Sequence, residues 1–247
     1  HVDSPADFYQ SAVAFGDFQR QLADFSAQTL VETIPHFHDT PDRYRQFHEA
    51  LEKDALGRAD ACRQEIDFVL AREQEAGKMV GMLARGELPL RVTHNDTKLN
   101  NVMLDAKTRT PLCVIDLDTV MPGLAGNDFG DSIRFGANTA AEDERDLSKV
   151  RFSMPLFEAY AQGFLSACGK ALTPAEIKTL PLGAKLMTLE CGVRFLTDYL
   201  AGDTYFRVHR EGHNLDRCRT QFKLVSEMEN QWSAMENAIG RIAENSI

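Results

Sequence analysis

The chain has 247 residues, 43% of them hydrophobic and 26% charged, with a formal net charge of -10 at pH 7. This length and composition are typical of one large globular domain, or of one lobe with appended helices. The negative charge argues against nucleic acid or an anionic membrane as the main partner, because both need a basic binding surface.

Targeting signals and cysteine usage predict a cytoplasmic protein. No apolar run approaches the roughly 18 residues of a membrane span, and residues 1–10 lack the apolar core of a signal peptide. The cysteines are odd in number, widely spread and without a C-x-x-C pair, which is typical of a reducing compartment. They are Cys62, Cys113, Cys168, Cys191 and Cys218.

The N-terminal third of the chain predicts helices. Ser4 is a favourable N-cap and Pro5 suits the first helical position. Apolar residues then recur at helical spacing as far as Phe25, which predicts one aromatic face. Thr40, followed by proline, predicts the start of a second helix, and residues 61–83 predict a long third helix.

The hydrophobic period changes in the middle of the chain. Residues 91–94, 101–104 and 112–115 are short β-type runs separated by polar turns. From Asp128 onward the pattern is helical again and ends in one predicted helix whose apolar stripe covers residues 215–242. The predicted fold class is mainly α with a small β island, an arrangement typical of the C-terminal, larger lobe of a protein-kinase-like fold.

A catalytic pattern lies in this island. Protein kinases use H-x-D-x-x-x-x-N, in which the Asp accepts the proton of the substrate hydroxyl and the Asn binds magnesium. His94, Asp96 and Asn101 have this spacing, and Asp116 ends the following apolar strand, where a second magnesium ligand belongs. Lys98 can meet the charge that develops on a transferred phosphoryl group. Solvated Asp and Asn side chains in a polar hairpin are the alternative, but the ordered combination favours phosphoryl transfer.

Residues 91–137 resemble the aminoglycoside phosphotransferase/choline kinase superfamily. Within it, the segments HNDTKLNN, VIDLDTVMPG and NDFGDSIRFGA are similar to bacterial N-acetylhexosamine 1-kinases, which phosphorylate the anomeric hydroxyl of GlcNAc and GalNAc. The similarity extends to IPHFHDT before the island and to ECGVRFLTDYLAGDTYF and HNLDRCRTQFKLV after it. The resemblance implies Asp96 as the base, Asn101 and Asp116 as Mg2+ ligands, and ATP as the co-substrate.

The same resemblance implies that Phe135, Arg194 and Tyr205 line a sugar pocket. An aromatic face suits a pyranose ring, and a guanidinium can donate to ring hydroxyls or to an acetamide oxygen. Two structural alternatives stay open at this point. Phe135 could belong to the core, and Arg194 could be an ion-pair partner on its helix.

Three further residues are predicted to support the site. His94 is expected to be buried and to shape the loop by hydrogen bonding, and Asp131 resembles the superfamily Asp that braces this loop through backbone N–H groups. Asp118, on the opposite strand face from Asp116, is expected to contact substrate or a second ion, or to be a turn carboxylate. The remaining paired histidines have no zinc-site spacing and are interpreted as incidental or partly sugar-facing; they are His36, His38, His209 and His213.

Kinases of this superfamily also have an N-terminal β lobe that covers the phosphates. The sequence has no G-x-G-x-x-G and no β-rich stretch before residue 85. We therefore expect residues 1–247 to form the C-terminal catalytic lobe, whose partners are the sugar substrate and the protein's own N-terminal nucleotide lobe, absent from this chain.

Other functions remain as alternatives. Choline, homoserine, methylthioribose or an aminoglycoside could replace the sugar as acceptor, and the chain could be a non-catalytic sugar-binding fragment or pseudokinase. A sulfatase-type hydrolase needs C/S-x-P-x-R; the nearest segment, residues 153–157, lacks the arginine.

Overall fold

A computed structural model describes residues 4–246, which form ten α-helices and four short strands. The helices are α1 (Pro5–Gln21), α2 (Thr40–Lys53), α3 (Arg63–Leu70), α4 (Glu73–Ala76), α5 (Lys78–Ala84), α6 (Ala125–Gly136), α7 (Met154–Cys168), α8 (Pro174–Ala201), α9 (His213–Asn230) and α10 (Trp232–Ser246). The strands are β1 (Arg91–Thr93), β2 (Val102–Leu104), β3 (Pro111–Val114) and β4 (Met121–Gly123). The predicted mainly helical fold with a small β island is confirmed. Across residues 4–246, no helix is both long enough and apolar enough to cross a bilayer.

The first two helices begin close to their predicted starts. The Ser4 side chain accepts a hydrogen bond from the backbone N–H of Asp7, as an N-cap does. The predicted aromatic face is too long, because α1 ends at Gln21 and Phe25 lies beyond it, 47% exposed. At α2 the cap is Asp39 and not Thr40, which is already helical.

The predicted long helix over residues 61–83 is wrong, because the chain breaks into α3, α4 and α5. One break is at Arg72, whose guanidinium donates two hydrogen bonds to Glu229 and lies 3.5 Å from the Phe68 ring centroid. The other is at Gly77, which has a low helix propensity. A tertiary ion pair and a glycine therefore override the periodic pattern.

The predicted final helix is also divided. It breaks at Gln231 between α9 and α10, where the Gln231 amide donates to the carbonyl oxygen of Phe152. A fourth strand, β4, was not predicted, because Pro122 and Gly123 are unfavourable in strands. β4 pairs antiparallel with β1, while β2 and β3 form a separate antiparallel hairpin.

Helix α6, which follows the island, is almost entirely buried and packs against α8. The two helices approach closely at glycines. A Cβ atom added at Gly130 would overlap the backbone oxygen of Gly183, and one added at Gly183 would overlap the backbone oxygen of Gly126. The absence of side chains at these positions therefore sets the distance between α6 and α8.

We expect Gly130→Ala to lower the free energy of unfolding by about 1–3 kcal/mol, because the backbones of α6 and α8 must separate. The matched control is Gly240→Ala, at an exposed position of α10 where a Cβ would meet open space. That variant should be more stable than the wild type by roughly 0.5–1 kcal/mol. Urea unfolding followed by circular dichroism measures both values, and equal stabilities of the two variants would contradict the close approach.

Candidate active site

The loop between β1 and β2 brings together Asp96, Lys98 and Asn101. One Asp96 carboxylate oxygen lies 2.6 Å from the ammonium nitrogen of Lys98. The Asn101 Nδ2 group donates to the other carboxylate oxygen at 3.0 Å and to the Asp96 carbonyl oxygen at 2.8 Å. No donor within residues 4–246 hydrogen-bonds Asn101 Oδ1, so this amide oxygen is free to bind a ligand.

Asp116 lies next to this loop through a backbone hydrogen bond. The N–H of Ile115 donates to the carbonyl oxygen of Asn101 at 2.9 Å. Asp116 itself is exposed and adopts the left-handed conformation, with φ 62° and ψ 60°. Such a conformation is disfavoured by the Cβ atom, although Asp tolerates it better than most residues.

The side chains of Asn101 and Asp116 form a donor set that suits magnesium. Mg2+ prefers hard oxygen ligands and is commonly bound by one or two protein side chains together with substrate phosphates. An amide oxygen and a carboxylate fit this pattern. Within residues 4–246, no group of three or more His, Cys, Asp or Glu side chains could hold a metal ion without such phosphates.

His94 connects Asp96 to the chain before Asp116. Its ring is fully buried. Nδ1 accepts a hydrogen bond from the Asp96 N–H at 3.3 Å, and Nε2 lies 3.0 Å from the carbonyl oxygen of Ile115. A carbonyl can only accept, so the network places the ring proton on Nε2. Both ring nitrogens therefore have backbone partners. The ring holds the loop in place, and no free ring nitrogen faces the Asp96 carboxylate.

Asp128, on α6, was not selected from the sequence, yet it braces the loop most directly. Its carboxylate accepts hydrogen bonds from the backbone N–H groups of His94 at 2.9 Å and Asn95 at 2.8 Å, and from the Gln19 side chain at 2.7 Å. Burial raises its pKa, and the hydrogen bonds oppose that rise. The available signal was its three-residue spacing from Asp131, which puts both carboxylates on one helix face.

Asp131 makes a second brace, in the middle of α6 and not near its start. It accepts a hydrogen bond from the N–H of Thr97 at 3.0 Å and two from Arg134. Burial opposes ionisation of Asp131, but the charges of Arg134, His38 and Lys98 outweigh it and lower the pKa of the carboxyl group. The carboxylate therefore holds the loop on the C-terminal side of Asp96.

His38, interpreted from the sequence as incidental or partly sugar-facing, is part of the support for this loop. Its Nδ1 lies 2.9 Å from a Glu190 carboxylate oxygen and its Nε2 lies 3.2 Å from the carbonyl oxygen of Asn95. The Thr40 hydroxyl donates to the other Glu190 oxygen at 2.7 Å. Both partners of the His38 ring are acceptors, so only the imidazolium can donate to both. The sequence gives no signal of these contacts.

Arg194 and Tyr205, two of the three predicted sugar-pocket residues, lie together. The Arg194 guanidinium is 5.8 Å from the Tyr205 ring centroid, 5.4 Å from that of Phe206 and 5.6 Å from that of Phe37. Both residues line one cleft beside α8, and Phe135 is not part of its lining. Phe135 is half-buried on α6.

The loop that carries Tyr205 is fixed by Asp198, which was also missed. The buried Asp198 carboxylate accepts hydrogen bonds from the backbone N–H groups of Thr204, Tyr205 and Phe206 at 2.8 to 2.9 Å. The Asn214 amide donates a fourth at 2.8 Å. The 70% exposed Tyr205 ring therefore projects from a firmly held backbone.

The other residues selected from the sequence lie away from these contacts. Asp118 is exposed in the 3-10 turn Leu117–Thr119, so the alternation of a strand does not apply to it. His213 is buried and its Nε2 lies 3.1 Å from Asp143, while the backbone N–H of His209 donates to its Nδ1. His36 pairs with Asp39 at the surface.

We expect His38→Gln to reduce stability more at pH 6 than at pH 9. Burial lowers the pKa of His38, but the Glu190 carboxylate and Asp131 outweigh it and raise the pKa above its usual value. The stabilisation is therefore complete below about pH 6.5, the unfolded value, and is lost as pH rises through the folded pKa.

Chemical unfolding of the wild type and of His38→Gln at both pH values measures this difference, with His48→Gln as control because His48 pairs with Glu73 in an exposed position. Imidazole 15N chemical shifts report the protonation state of His38 directly. A ring that loses its proton below pH 6.5, or a stability difference independent of pH, would contradict the imidazolium assignment.

Two comparisons with known proteins gave matches. The structure described as that of the microcompartment-associated aminopropanol kinase is 14% identical, with a TM-score of 0.48. The alignment covers 94% of this chain and 64% of that chain, so the protein spans less than two thirds of that kinase's length. Residues 1–165 match the family described as the phosphotransferase enzyme family, APH, which confirms the superfamily predicted from residues 91–137. Because that match extends over more than half of the sequence, the chain belongs to the phosphotransferase enzyme family.

Proposed function

We propose that the protein is the catalytic lobe of an ATP- and magnesium-dependent kinase that phosphorylates a small alcohol. The observation that carries the proposal is the connection of Asp96, Asn101 and Asp116 around one loop. The Asn101 amide donates to the Asp96 carboxylate, and His94 is hydrogen-bonded both to the Asp96 N–H and to the carbonyl oxygen of Ile115, which precedes Asp116. This set supplies a proton acceptor beside two oxygen ligands for a metal. Phosphoryl transfer requires both, because catalysis rests on positioning and on charge stabilisation.

Asp96 is proposed to act as the base. Its carboxylate accepts the hydrogen bond of the acceptor hydroxyl; as the hydroxyl oxygen bonds to the γ-phosphorus and the bond to ADP breaks, the proton passes to Asp96. The Lys98 ammonium, 2.6 Å from the same carboxylate, is close enough to stabilise the negative charge of the transferred group. Asn101 orients Asp96 by donating to its second carboxylate oxygen.

Asn101 Oδ1 and the Asp116 carboxylate are proposed to hold the magnesium ion. When bound with the nucleotide, magnesium supplies positive charge to the phosphate oxygens. The Asp116 carboxylate supports this role, because it is exposed and has no hydrogen-bond partner among residues 4–246.

The outer face of the β2–β3 hairpin is proposed to carry the nucleotide base and a covering nucleotide lobe. Val102 and Val114 pack against Phe15 of α1 on the inner face. On the outer face, Met103 is exposed although it is large and apolar, and it pairs with the exposed Cys113 of β3. Met103 is two residues after Asn101, so a base on this face would lie next to the proposed metal site.

The acceptor is proposed to be an N-acetylhexosamine, phosphorylated at its anomeric hydroxyl. The sequence resemblance around Arg194 and Tyr205 supports this finer assignment. Arg194 has guanidinium donors available for an acetamide oxygen, and the exposed Tyr205 ring offers an apolar face to a pyranose. A quaternary ammonium acceptor such as choline is disfavoured, because Arg43 and Arg194 both line the same cleft.

An acceptor panel tests this function. We expect the complete gene product, with ATP and magnesium, to phosphorylate GlcNAc or GalNAc with a kcat/KM about 10-fold or more above that for glucose, since the acetamide hydrogen bond to a cation is lost in glucose. Choline should not react. The 247-residue chain, assayed in parallel, should show no turnover without the proposed nucleotide lobe. Equal rates with GlcNAc, glucose and choline would refute the sugar assignment.

We expect Asp96→Asn in the complete gene product to reduce kcat by about 10²-fold or more, because the amide cannot accept the hydroxyl proton. The isosteric change should leave unfolding temperature and acceptor affinity close to wild type. Asp60→Asn, at a fully exposed carboxylate on the surface, is the control and should keep the wild-type rate. Retention of more than about a tenth of the rate in the Asp96 variant would exclude a base role.

A further inference from the structure

A second feature of the α8 side of the molecule is a cleft that contains two guanidinium groups. The cleft has a volume of about 180 Å³ and lies between α2, α8 and the loop after α8. Arg43 of α2 and Arg194 of α8 both line it, together with Thr197, Thr204 and Tyr205. Two cations in so small a space repel each other unless a negative group lies between them.

Only some of the N–H groups of Arg43 have hydrogen-bond partners among residues 4–246. One terminal nitrogen donates to the carbonyl oxygen of Phe37 at 2.8 Å and the other to the Gln46 side chain at 3.3 Å. Its Nε is buried and has no hydrogen-bond partner within residues 4–246. Burial and the nearby charge of Arg194 both lower the pKa of Arg43. Among residues 4–246 no carboxylate forms an ion pair with Arg43, so its positive charge at the cleft favours a bound anion.

The guanidinium of Arg194 is also available to bind an anion. Among residues 4–246, no carboxylate lies within ion-pair distance of its guanidinium, which is surrounded by the rings of Phe37, Tyr205 and Phe206. Aromatic faces stabilise a cation by electrostatic attraction but do not accept its in-plane N–H groups. These donors therefore remain free to bind a planar or tetrahedral group of oxygens.

The carboxylates of Asp198 and Glu190, near the cleft, already have hydrogen-bond partners in the protein. Asp198 lines the cleft, but its oxygens accept the backbone N–H groups of residues 204–206 and the Asn214 amide. Glu190, one turn before Arg194, binds His38 and Thr40. Glu190 offsets part of the charge from a distance, but neither carboxylate pairs with the free donors.

We propose that the Arg43–Arg194 cleft binds a small oxyanion, a carboxylate or a phosphate, whose oxygens accept hydrogen bonds from the Arg194 guanidinium and lie beside the positive charge of Arg43. Guanidinium groups match such anions in geometry as well as in charge. The anion comes either from solution or from an anionic substituent of the acceptor, since Arg194 and Tyr205 are shared with the proposed acceptor pocket. Only the second source rests on the proposed function.

Calorimetric titration of the 247-residue chain with inorganic phosphate, at fixed ionic strength and with chloride as the reference anion, tests the site itself. We expect phosphate to bind and to raise the unfolding temperature, whereas chloride does not. Arg43→Met and Arg194→Met should each weaken phosphate binding by about 10-fold or more. Arg194→Met is the safer variant, because the Arg194 side chain makes no hydrogen bond within residues 4–246.

Two control variants test whether phosphate binds in this cleft. Arg45→Met removes an exposed guanidinium from α2 that pairs with Asp42 and Glu49, and should bind phosphate as the wild type does. Lys98→Met should also bind normally, which separates this cleft from the catalytic loop. The proposal is overturned if phosphate and chloride act alike on the wild type, or if the Arg43 and Arg194 variants bind phosphate as the wild type does, whatever the effect of Lys98→Met.

Competition then identifies the source of the anion. If the anion belongs to the acceptor, a hexosamine 6-phosphate or a hexuronate displaces phosphate at a lower concentration than neutral GlcNAc does. If it comes from solution, these anionic sugars displace phosphate no better than GlcNAc, which competes because Arg194 is shared. Both results support the site, and neither depends on kinase turnover, so a failure of the proposed kinase activity would be seen separately in the acceptor panel.

Discussion

The loop between β1 and β2 keeps its shape because one buried carboxylate, Asp128, accepts hydrogen bonds from the two backbone N–H groups that precede Asp96. Asn95 adopts a left-handed conformation, with φ 65°, which disfavours a residue with a Cβ. The hydrogen bond from Asn95 N–H to Asp128 compensates this cost, and the one from His94 N–H fixes the start of the turn. Because Asp128 is fully buried, losing these donors would leave a carboxylate without adequate hydrogen bonds, so the loop and the helix stabilise each other.

Asn95 is also held by a different part of the chain, through its carbonyl oxygen. The Asn95 carbonyl oxygen accepts from His38, and His38 is fixed by Glu190 on α8. Helix α6 supplies Asp128 and packs on α8 where Gly130 faces Gly183. The position of Asp96 therefore depends on the distance between α6 and α8 as well as on the short strands that flank it.

The sequence indicated which proposed site residues share one region of the chain, because their relationship is local. Asp96, Asn101 and Asp116 lie within one strand–turn–strand region, so their spacing and the apolar runs between them already carry the geometry. The supporting residues were missed because their contacts are distant in sequence: His38 and Glu190 are 152 positions apart. A periodic pattern records which face of a helix is apolar, and does not record which distant partner that face meets. The break at Arg72 was hidden for the same reason, whereas the one at Gly77 could have been read from the residue type.

Net charge and local charge have separate consequences in this molecule. The total of -10 argues against polyanionic partners, because repulsion acts over the whole surface at low ionic strength. Binding of one small anion depends instead on the donors within a few ångströms of it, and on whether those donors already have partners in the protein. Among residues 4–246, Lys98 pairs with Asp96 alone, and Arg194 keeps free donors beside the charge of Arg43 in their cleft. An acidic protein can thus offer positive charge at the two places where the proposed reaction and the proposed oxyanion require it.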